Sequence, residues 1–498
     1  MIKKIYRKIM KAVICLALVA SMVVSPLAGT GIEAQAAPVM GIDVSVYQGD
    51  INWSAVKASG INFAFIRVGT TKKGIDAKFA QNITGANAVG IKTGVYIYSY
   101  ATTVEAAAYE ANLVLQCVAP YTVSFPIAID IEDSVQKACS PEQLAAIANT
   151  FCSIIQGAGY YPMVYGSKNW LTTRIAPVGY DKWVAQYAGA CEYPNPAIWQ
   201  YTSSGAVGGI NGRVDMDVLY KDYNALIPQG GFTKRNDKTY YYSNYRMQYG
   251  WVTVDGAKYF FNGAGEMQTG WISNGTITFY FNPDGKMQVG FADIQGKRYY
   301  FDDNGLMQVG LVTIGDKKYY FDNTGVMQTG WLDTGVARFF FNPDGTMVTG
   351  WSDINGKRYY FMPTGQAAVG LVTLGDSSYF FDADGSMKTG WVGNDQIKYY
   401  FLSDGKMAKG WQNIDGSIYF FNADGKMNIG LLALNGQKYF NDVDGKLVIG
   451  WKNVNNHWFY FAPDGCMVAN TVVAISGYPC QFDENGVFVN PPEGFMGQ

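Results

Sequence analysis

A chain of 498 residues with 48% hydrophobic and 16% charged side chains holds enough apolar material for two or three domains of roughly 100–200 residues, and it excludes wholesale disorder. A formal charge of −2 leaves no surplus of basic residues to neutralise phosphates, which excludes nucleic acid as a partner. The 58 glycines and 36 tyrosines suggest many turns and flat aromatic surfaces, as in β-rich modules that hold sugars or small cations.

The first 36 residues read as a secretory signal peptide. Lys3, Lys4, Arg7, Lys8 and Lys11 form a basic start, and Ala12 to Val24 is an apolar run. That run falls short of the about 20 residues a spanning helix needs. Ala34-Gln35-Ala36 supplies small residues for cleavage. No membrane segment is expected to remain, and the mature chain is expected to be secreted. Loss of residues 1–36 leaves 33 basic against 39 acidic residues, a net charge of −6.

Residues 38–222 alternate strands with helices. Strands are expected at Val39–Val44, Phe63–Val68, Lys92–Tyr98, Pro126–Ile131 and Pro162–Tyr165. Helices are expected at Trp53–Ser59, Ala77–Ala88, Val104–Val118 and Pro141–Gly157. Ser140, Pro141 and Gln143 form a helix-start signature. Three further strands, Trp183–Tyr187, Ala197–Tyr201 and Val214–Leu219, follow too closely for full helices between them. Continuous apolar strands between helices predict a parallel sheet covered on both faces. The fold class is therefore a TIM-like α/β barrel whose last strands lack full helices.

Cys117, Cys139, Cys152, Cys191, Cys466 and Cys480 remain after the leader is removed, an even number that permits disulfides in an exported chain. Cys466–Cys480 would be a local clip; buried free thiols are the alternative. The single histidine, His457, lies far down the chain, so the first domain has no Ser-His-Asp triad, no Cys-His pair and no histidine metal site. Acid–base chemistry there falls to carboxylates, tyrosines or lysines, and neither a cofactor nor a metal is expected.

Pro228, Gly230 and Gly231 place a linker at residues 223–232. From 233 to 470 the chain repeats every twenty residues, with glycines from Gly250 to Gly450 and a second series from Gly265 to Gly465. Aromatic clusters such as Tyr259-Phe260-Phe261 precede the second glycine, and Met267, Met287, Met307, Met327 and Met347 recur in register. Asp284-Gly285, Asn304-Gly305 and Asp344-Gly345 read as hairpin turns. Eleven or twelve such units would stack into an all-β hairpin solenoid with a methionine and aromatic column, closed by a cap or tail at 471–498.

The sharpest local signal is Ile127-Ala128-Ile129-Asp130-Ile131-Glu132. Residues two apart in a strand share a face, so Asp130 and Glu132 point together at the strand's C-terminal end, where barrel enzymes carry their chemistry. Asp43 closes the first strand, and Asp215 opens the last. Neighbouring carboxylates in unequal surroundings split their pKa values, so one stays protonated as acid while another stays charged, as glycosidic cleavage requires. Strand-end surface acids would show the same spacing.

Met40-Gly41-Ile42-Asp43-Val44-Ser45-Val46-Tyr47-Gln48-Gly49 resembles the opening of glycoside hydrolase family 25 lysozymes. Trp53, Phe65-Ile66-Arg67-Val68-Gly69, Gly94-Val95-Tyr96, the Asp130/Glu132 strand, Trp199-Gln200-Tyr201 and Val214-Asp215 follow in the family's order across residues 39–220. The resemblance implies hydrolysis of the β-1,4 bond from N-acetylmuramic acid to N-acetylglucosamine in peptidoglycan. It makes Glu132 the general acid and gives Asp130 the task of orienting the substrate or stabilising charge. Asp43 and Asp215 complete the acidic floor. Arg67, Tyr96, Tyr98, Tyr165 and Gln200 are candidate sugar contacts.

The repeats resemble cell-wall-binding and choline-binding repeats, with Trp251, Trp271, Trp331, Trp351, Trp391, Trp411 and Trp451 at the Gly-Trp starts. Phe291, Leu311, Leu371 and Leu431 replace that tryptophan elsewhere. Seven residues on, choline binders carry a second tryptophan, which here occurs only at Trp458. Lys258, Thr278, Arg298, Lys318, Arg338, Arg358, Ser378, Lys398, Ile418 and Lys438 stand at the equivalent positions. An aromatic beside a basic residue suits a wall glycan or anionic wall polymer, with choline as the further candidate. The chain is thus expected to be a wall-associated peptidoglycan hydrolase. A non-catalytic surface adhesin and a chitinase-like hydrolase are the alternatives.

Overall fold

The structure is a computed structural model that describes residues 38–497; the expected leader lies outside them. Two compact units are present, one running through Gly270 with Phe281–Met287, the other made of Trp271–Tyr280 and the chain from Gln288.

In the first unit, strands β1 (Val39–Val44), β2 (Ile61–Thr70), β3 (Gly74–Ile75), β4 (Lys92–Tyr98), β5 (Ile127–Asp130), β6 (Pro162–Ser167), β7 (Asp181–Ala185), β8 (Ile198–Gly205) and β9 (Val214–Leu219) form one sheet. It runs β1-β9-β8-β7-β6-β5-β4-β2-β3 and closes into a barrel through β1–β2 pairing. The expected parallel pairing holds among β1, β2 and β4 through β8, but the short β3 is antiparallel to β2, and β9 is antiparallel to both β8 and β1. The segment from Gly205 to Val214 is too short for the helical crossover a parallel connection demands, so the chain folds straight back.

Four helices cover the barrel: α1 (Trp53–Ala58), α2 (Phe79–Ala88), α3 (Val104–Val118) and α4 (Pro141–Gly157). The start of α4 follows from sequence. Ser140 Oγ accepts from Gln143 N at 3.2 Å, and Gln143 Oε1 accepts from Ser140 N at 2.7 Å, a closed capping box with proline in the first turn. The period-two pattern of each strand splits the core. Ala64 and Ile66 of β2 face the helices, whereas Phe63 and Phe65 face the barrel interior, where Phe65 stacks on Trp183 at 4.3 Å. Gly41 is required at the crossing, because a Cβ there would lie 2.2 Å from the Phe63 ring.

Gly230–Arg235 is already a strand, paired with Lys238–Ser243, so the end of the expected 223–232 linker belongs to the first hairpin. The repeats comprise one three-stranded and twelve two-stranded antiparallel sheets, one of them, Thr471–Ile475 with Tyr478–Phe482, inside the expected 471–498 tail.

The turns lie elsewhere than expected. Hairpins close at dipeptides such as Gln295-Gly296 and Asn355-Gly356, whose φ values of +52° with +75° and +51° with +77° are those of a tight primed turn. Asp284-Gly285 and Asp344-Gly345 instead sit in the loop after each hairpin, where Gly285 N donates to Asn282 O at 2.8 Å. Glycine is required there for packing: a Cβ on Gly285 would lie 2.3 Å from Met267 Sδ, and one on Gly325 would lie 2.4 Å from Met307 Sδ. The methionine register is therefore the joint between successive hairpins. The six described cysteines are free thiols, which settles the alternative against a Cys466–Cys480 clip.

Candidate active site

Inward-facing positions change character along each barrel strand. Phe63 and Phe65 give way to Arg67 on β2, Gly94 to Tyr96 and Tyr98 on β4, Ala128 to Asp130 on β5, and Met163 to Tyr165 on β6. At the C-terminal rim these residues form a cleft of about 190 Å³ lined by Asp43, Arg67, Tyr96, Tyr98, Asp130, Glu132, Tyr165, Trp183, Tyr187, Gln200 and Asp215. All nine residues expected at the barrel site line it. Glu132 lies two residues beyond Asp130, where β5 has ended, and still faces the same cleft.

Strand register brings the acids together. Asp43 stands opposite Asp215 across β1 and β9, and Asp130 stands beside Tyr98 on one side and Tyr165 on the other. Asp43 Oδ2 accepts from Gln200 Nε2 at 2.7 Å; Gln200 Oε1 accepts from the hydroxyls of Tyr165 and Tyr187, each at 3.0 Å. Tyr98 donates to Asp133 Oδ2 at 3.1 Å. Asp130 keeps one buried oxygen without a partner.

Arg67 lines the cleft, but its charge is already committed. Its Nε and Nη2 reach Asp76 Oδ2 at 2.9 and 2.8 Å, and its guanidinium lies 5.0 Å from the Tyr47 ring centre. The cleft therefore carries a surplus of negative charge. Burial pushes the carboxyls of Asp43 and Asp130 well above the usual range; Asp217 and then Asp215 add to the effect on Asp43, and Glu132 to that on Asp130. Glu132, less enclosed than either, is raised first by burial and then by the charge of Asp215. An acid held protonated beside developed negative charge can both donate a proton and stabilise a cationic sugar.

Three features escaped sequence reading. Asp217 is fully buried behind Asp43 and accepts from Trp183 Nε1 at 2.7 Å, its other oxygen unpartnered. Trp183 supplies the aromatic floor. Tyr47, Arg67, Tyr98 and Tyr100 line an adjoining concavity of about 470 Å³, which lengthens the cleft into a groove. The signal for Asp217 was the alternation Asp215-Met216-Asp217, which puts both acids on one strand face.

Each expected wall-binding tryptophan packs against a ring across its own hairpin, at 4.9–5.2 Å for the pairs Trp251–Phe260, Trp271–Tyr280, Trp331–Phe340, Trp351–Tyr360, Trp391–Tyr400, Trp411–Phe420 and Trp451–Tyr460. A tyrosine of the next hairpin adds a third wall at 4.9–5.0 Å for Trp271, Trp331, Trp351, Trp391 and Trp411. Trp451 instead meets Phe488 and Phe495.

A closed barrel with clustered acids at the C-terminal strand ends, and little free positive charge, defines a sugar-cleaving enzyme. Residues 42–210 match glycosyl hydrolases family 25. The chain is 30% identical over 207 residues to lysozyme M1 of Streptomyces globisporus, covering 36% of this chain and 68% of that protein. It is 27% identical over 183 residues to the autolytic lysozyme of Clostridium acetobutylicum, covering 36% and 54%. The chain belongs to glycosyl hydrolases family 25. Residues 248–290, 308–349, 348–389 and 389–430 match a choline-binding repeat, and 289–307 and 449–467 match a putative cell wall binding repeat. Among solved structures, the modular autolysin LytC of Streptococcus pneumoniae is 32% identical over 37% of this chain and 47% of that one, with a TM-score of 0.35.

Proposed function

We propose that this chain is a secreted peptidoglycan hydrolase that cuts the β-1,4 bond between N-acetylmuramic acid and N-acetylglucosamine while its repeats hold it to the wall. The carrying observation is Glu132: a partly enclosed carboxyl, raised above its ordinary range, facing a cleft shared with Asp43, Asp130 and Asp215. Glu132 gives its proton to the oxygen of the leaving sugar. The surrounding carboxylates then favour the positive charge that develops on the ring. Asp130, buried beside it, orients the substrate's acetamido group. Asp43 is held in place by the Gln200 amide, itself fixed by Tyr165 and Tyr187, and Asp215 keeps Glu132 protonated. Tyr98 and Tyr100, edge to face at 5.3 Å along the adjoining concavity, supply aromatic faces for sugars.

The wall-associated repeats fit this division of labour, since many weak sites on one scaffold raise the enzyme's effective concentration at its substrate. Among the described residues no helix is long and apolar enough to cross a membrane. Digestion of purified peptidoglycan, with products read by mass spectrometry, tests the reading. Muropeptides ending in reducing N-acetylmuramic acid are expected. Ends in N-acetylglucosamine, or release from chitin alone, would reject it, as would equal release by Glu132→Gln.

A further inference from the structure

The second unit contains two kinds of aromatic cleft built on one plan. At Trp271, Trp391 and Trp411 the tryptophan and two further rings meet at centroid distances of 4.9–5.0 Å. At Phe291, Trp331 and Trp351 the same three walls stand 4.9–5.2 Å apart. The rings do not distinguish the two groups.

What differs is the cross-strand pair beside each tryptophan position. In the second group it is Asp293 opposite Arg298, Asp333 opposite Arg338 and Asp353 opposite Arg358. In these repeats the guanidinium lies over the aromatic ring, 5.1 Å from Phe291, 4.2 Å from Trp331 and 5.5 Å from Trp351. Asp353 Oδ1 reaches Arg358 Nε at 3.3 Å, Asp333 Oδ2 reaches Arg338 Nε at 3.7 Å, and Arg338 Nη1 also donates to Asp384 O at 2.5 Å. In the first group the pair is Ser273 with Thr278, Gly393 with Lys398, and Asn413 with Ile418. Among the described residues no cationic side chain lies over the Trp271, Trp391 or Trp411 ring. In the repeats from Gly250 to Gly450, aspartate takes the first position of the pair only where arginine takes the second, and arginine takes the second only where the ring is aromatic.

The face of an aromatic ring attracts a cation through its quadrupole, and a guanidinium and a quaternary ammonium group compete for the same place. At Arg338 and Arg358 the aspartate across the strand pairs with the guanidinium and partly offsets its charge; Arg298 has Asp293 opposite it in the register. We propose that Arg298, Arg338 and Arg358 are resident cations that close their own clefts, so that only the clefts of the Trp271, Trp391 and Trp411 kind admit an external trimethylammonium group. This rests on the wall-binding reading of the repeats and assigns a selecting residue within them. Free choline and a choline-bearing wall polymer share that group, so each forms one arm of the test.

Calorimetric titration of the whole chain with choline chloride gives the number of sites. Arg298→Thr, Arg338→Thr and Arg358→Thr are each expected to add one site, threonine being the residue that the Trp271 hairpin already carries at this position. Trp391→Ala should remove one, and Trp351→Ala should leave the number unchanged. Thermal melts show which variants are folded, and the tryptophan pair decides the matter without the arginine variants. An unchanged count in folded arginine variants, or equal losses from Trp351→Ala and Trp391→Ala, would overturn the proposal. So would the absence of saturable choline binding in every protein. The second arm is co-sedimentation with purified walls that carry choline. Excess choline is expected to release the chain from these walls; binding that persists unchanged in excess choline would leave the attachment reading standing while removing this one, and absence of wall binding even without choline would fell the attachment reading itself.

Discussion

Replacing Asp217 with asparagine should stabilise the barrel at neutral pH and hardly at all in acid. Asp217 is fully buried, gives one oxygen to Trp183 Nε1 at 2.7 Å, and leaves the other without a partner. Burial raises its pKa well above the ordinary aspartate range, with the charge of Asp215 adding to it. A folded-state pKa raised in this way gives stability that is fully present below the unfolded value of about 3.9 and is lost as pH rises through the folded value. The loss accrues at about 1.4 kcal/mol per pH unit, so at pH 7 it reaches at most about 4 kcal/mol. Asparagine keeps an oxygen for Trp183 and carries no charge to desolvate. The gain should therefore be near zero at pH 4 and about 1–4 kcal/mol at pH 7, which shifts the barrel's melting transition by roughly 2–4 °C for each kcal/mol. Calorimetric scans at the two pH values measure this directly. Equal shifts at both, or a lower transition at pH 7, would refute the claim that a desolvated carboxyl is the cause.

Glu132→Gln should lower kcat/KM on peptidoglycan by about 10²–10⁴, the contribution of one positioned general acid, while the melting transition stays put or rises; reducing-end assays with a melt control check both. Asp215→Asn removes the largest charge that raises Glu132, so the alkaline limb of the pH–kcat/KM profile should move to lower pH, and an unmoved limb would separate Glu132 from that limb. Gly325→Ala puts a Cβ 2.4 Å from Met307 Sδ at a φ of +82°. The combined strain and overpacking should cost about 2–5 kcal/mol, seen as earlier cleavage of the repeats in limited proteolysis.

The catalytic rim was legible because chemistry and geometry share a period. Asp43 and Asp130 occupy inward positions of strands whose other inward positions are apolar or small, so an acid there announces itself. The direction of β9 was not legible, because the side-chain alternation of a strand looks alike in either sense. The hairpin turns were misplaced because Asp-Gly carries two distinct meanings in this repeat. At Asp255-Gly256 it makes a primed turn, whereas at Asp284-Gly285 it clears space for a methionine from the preceding hairpin. Only the long-range contact separates them. Linker composition misled for a related reason: Gly230 and Gly231 read as flexible in isolation, yet they pair with Ser243 and Tyr242.

The methionine joints make the repeats sensitive to oxidants. Gly325 leaves room for the sulfur of Met307 and for little more, since even a carbon placed on that glycine would lie within 2.4 Å of it. Conversion to the sulfoxide adds an oxygen and a strong dipole at that contact. Peroxide would thus loosen the array one joint at a time. The unit that ends in Leu447 under Gly465, and the one with Ala367 under Gly385, would hold while their neighbours opened.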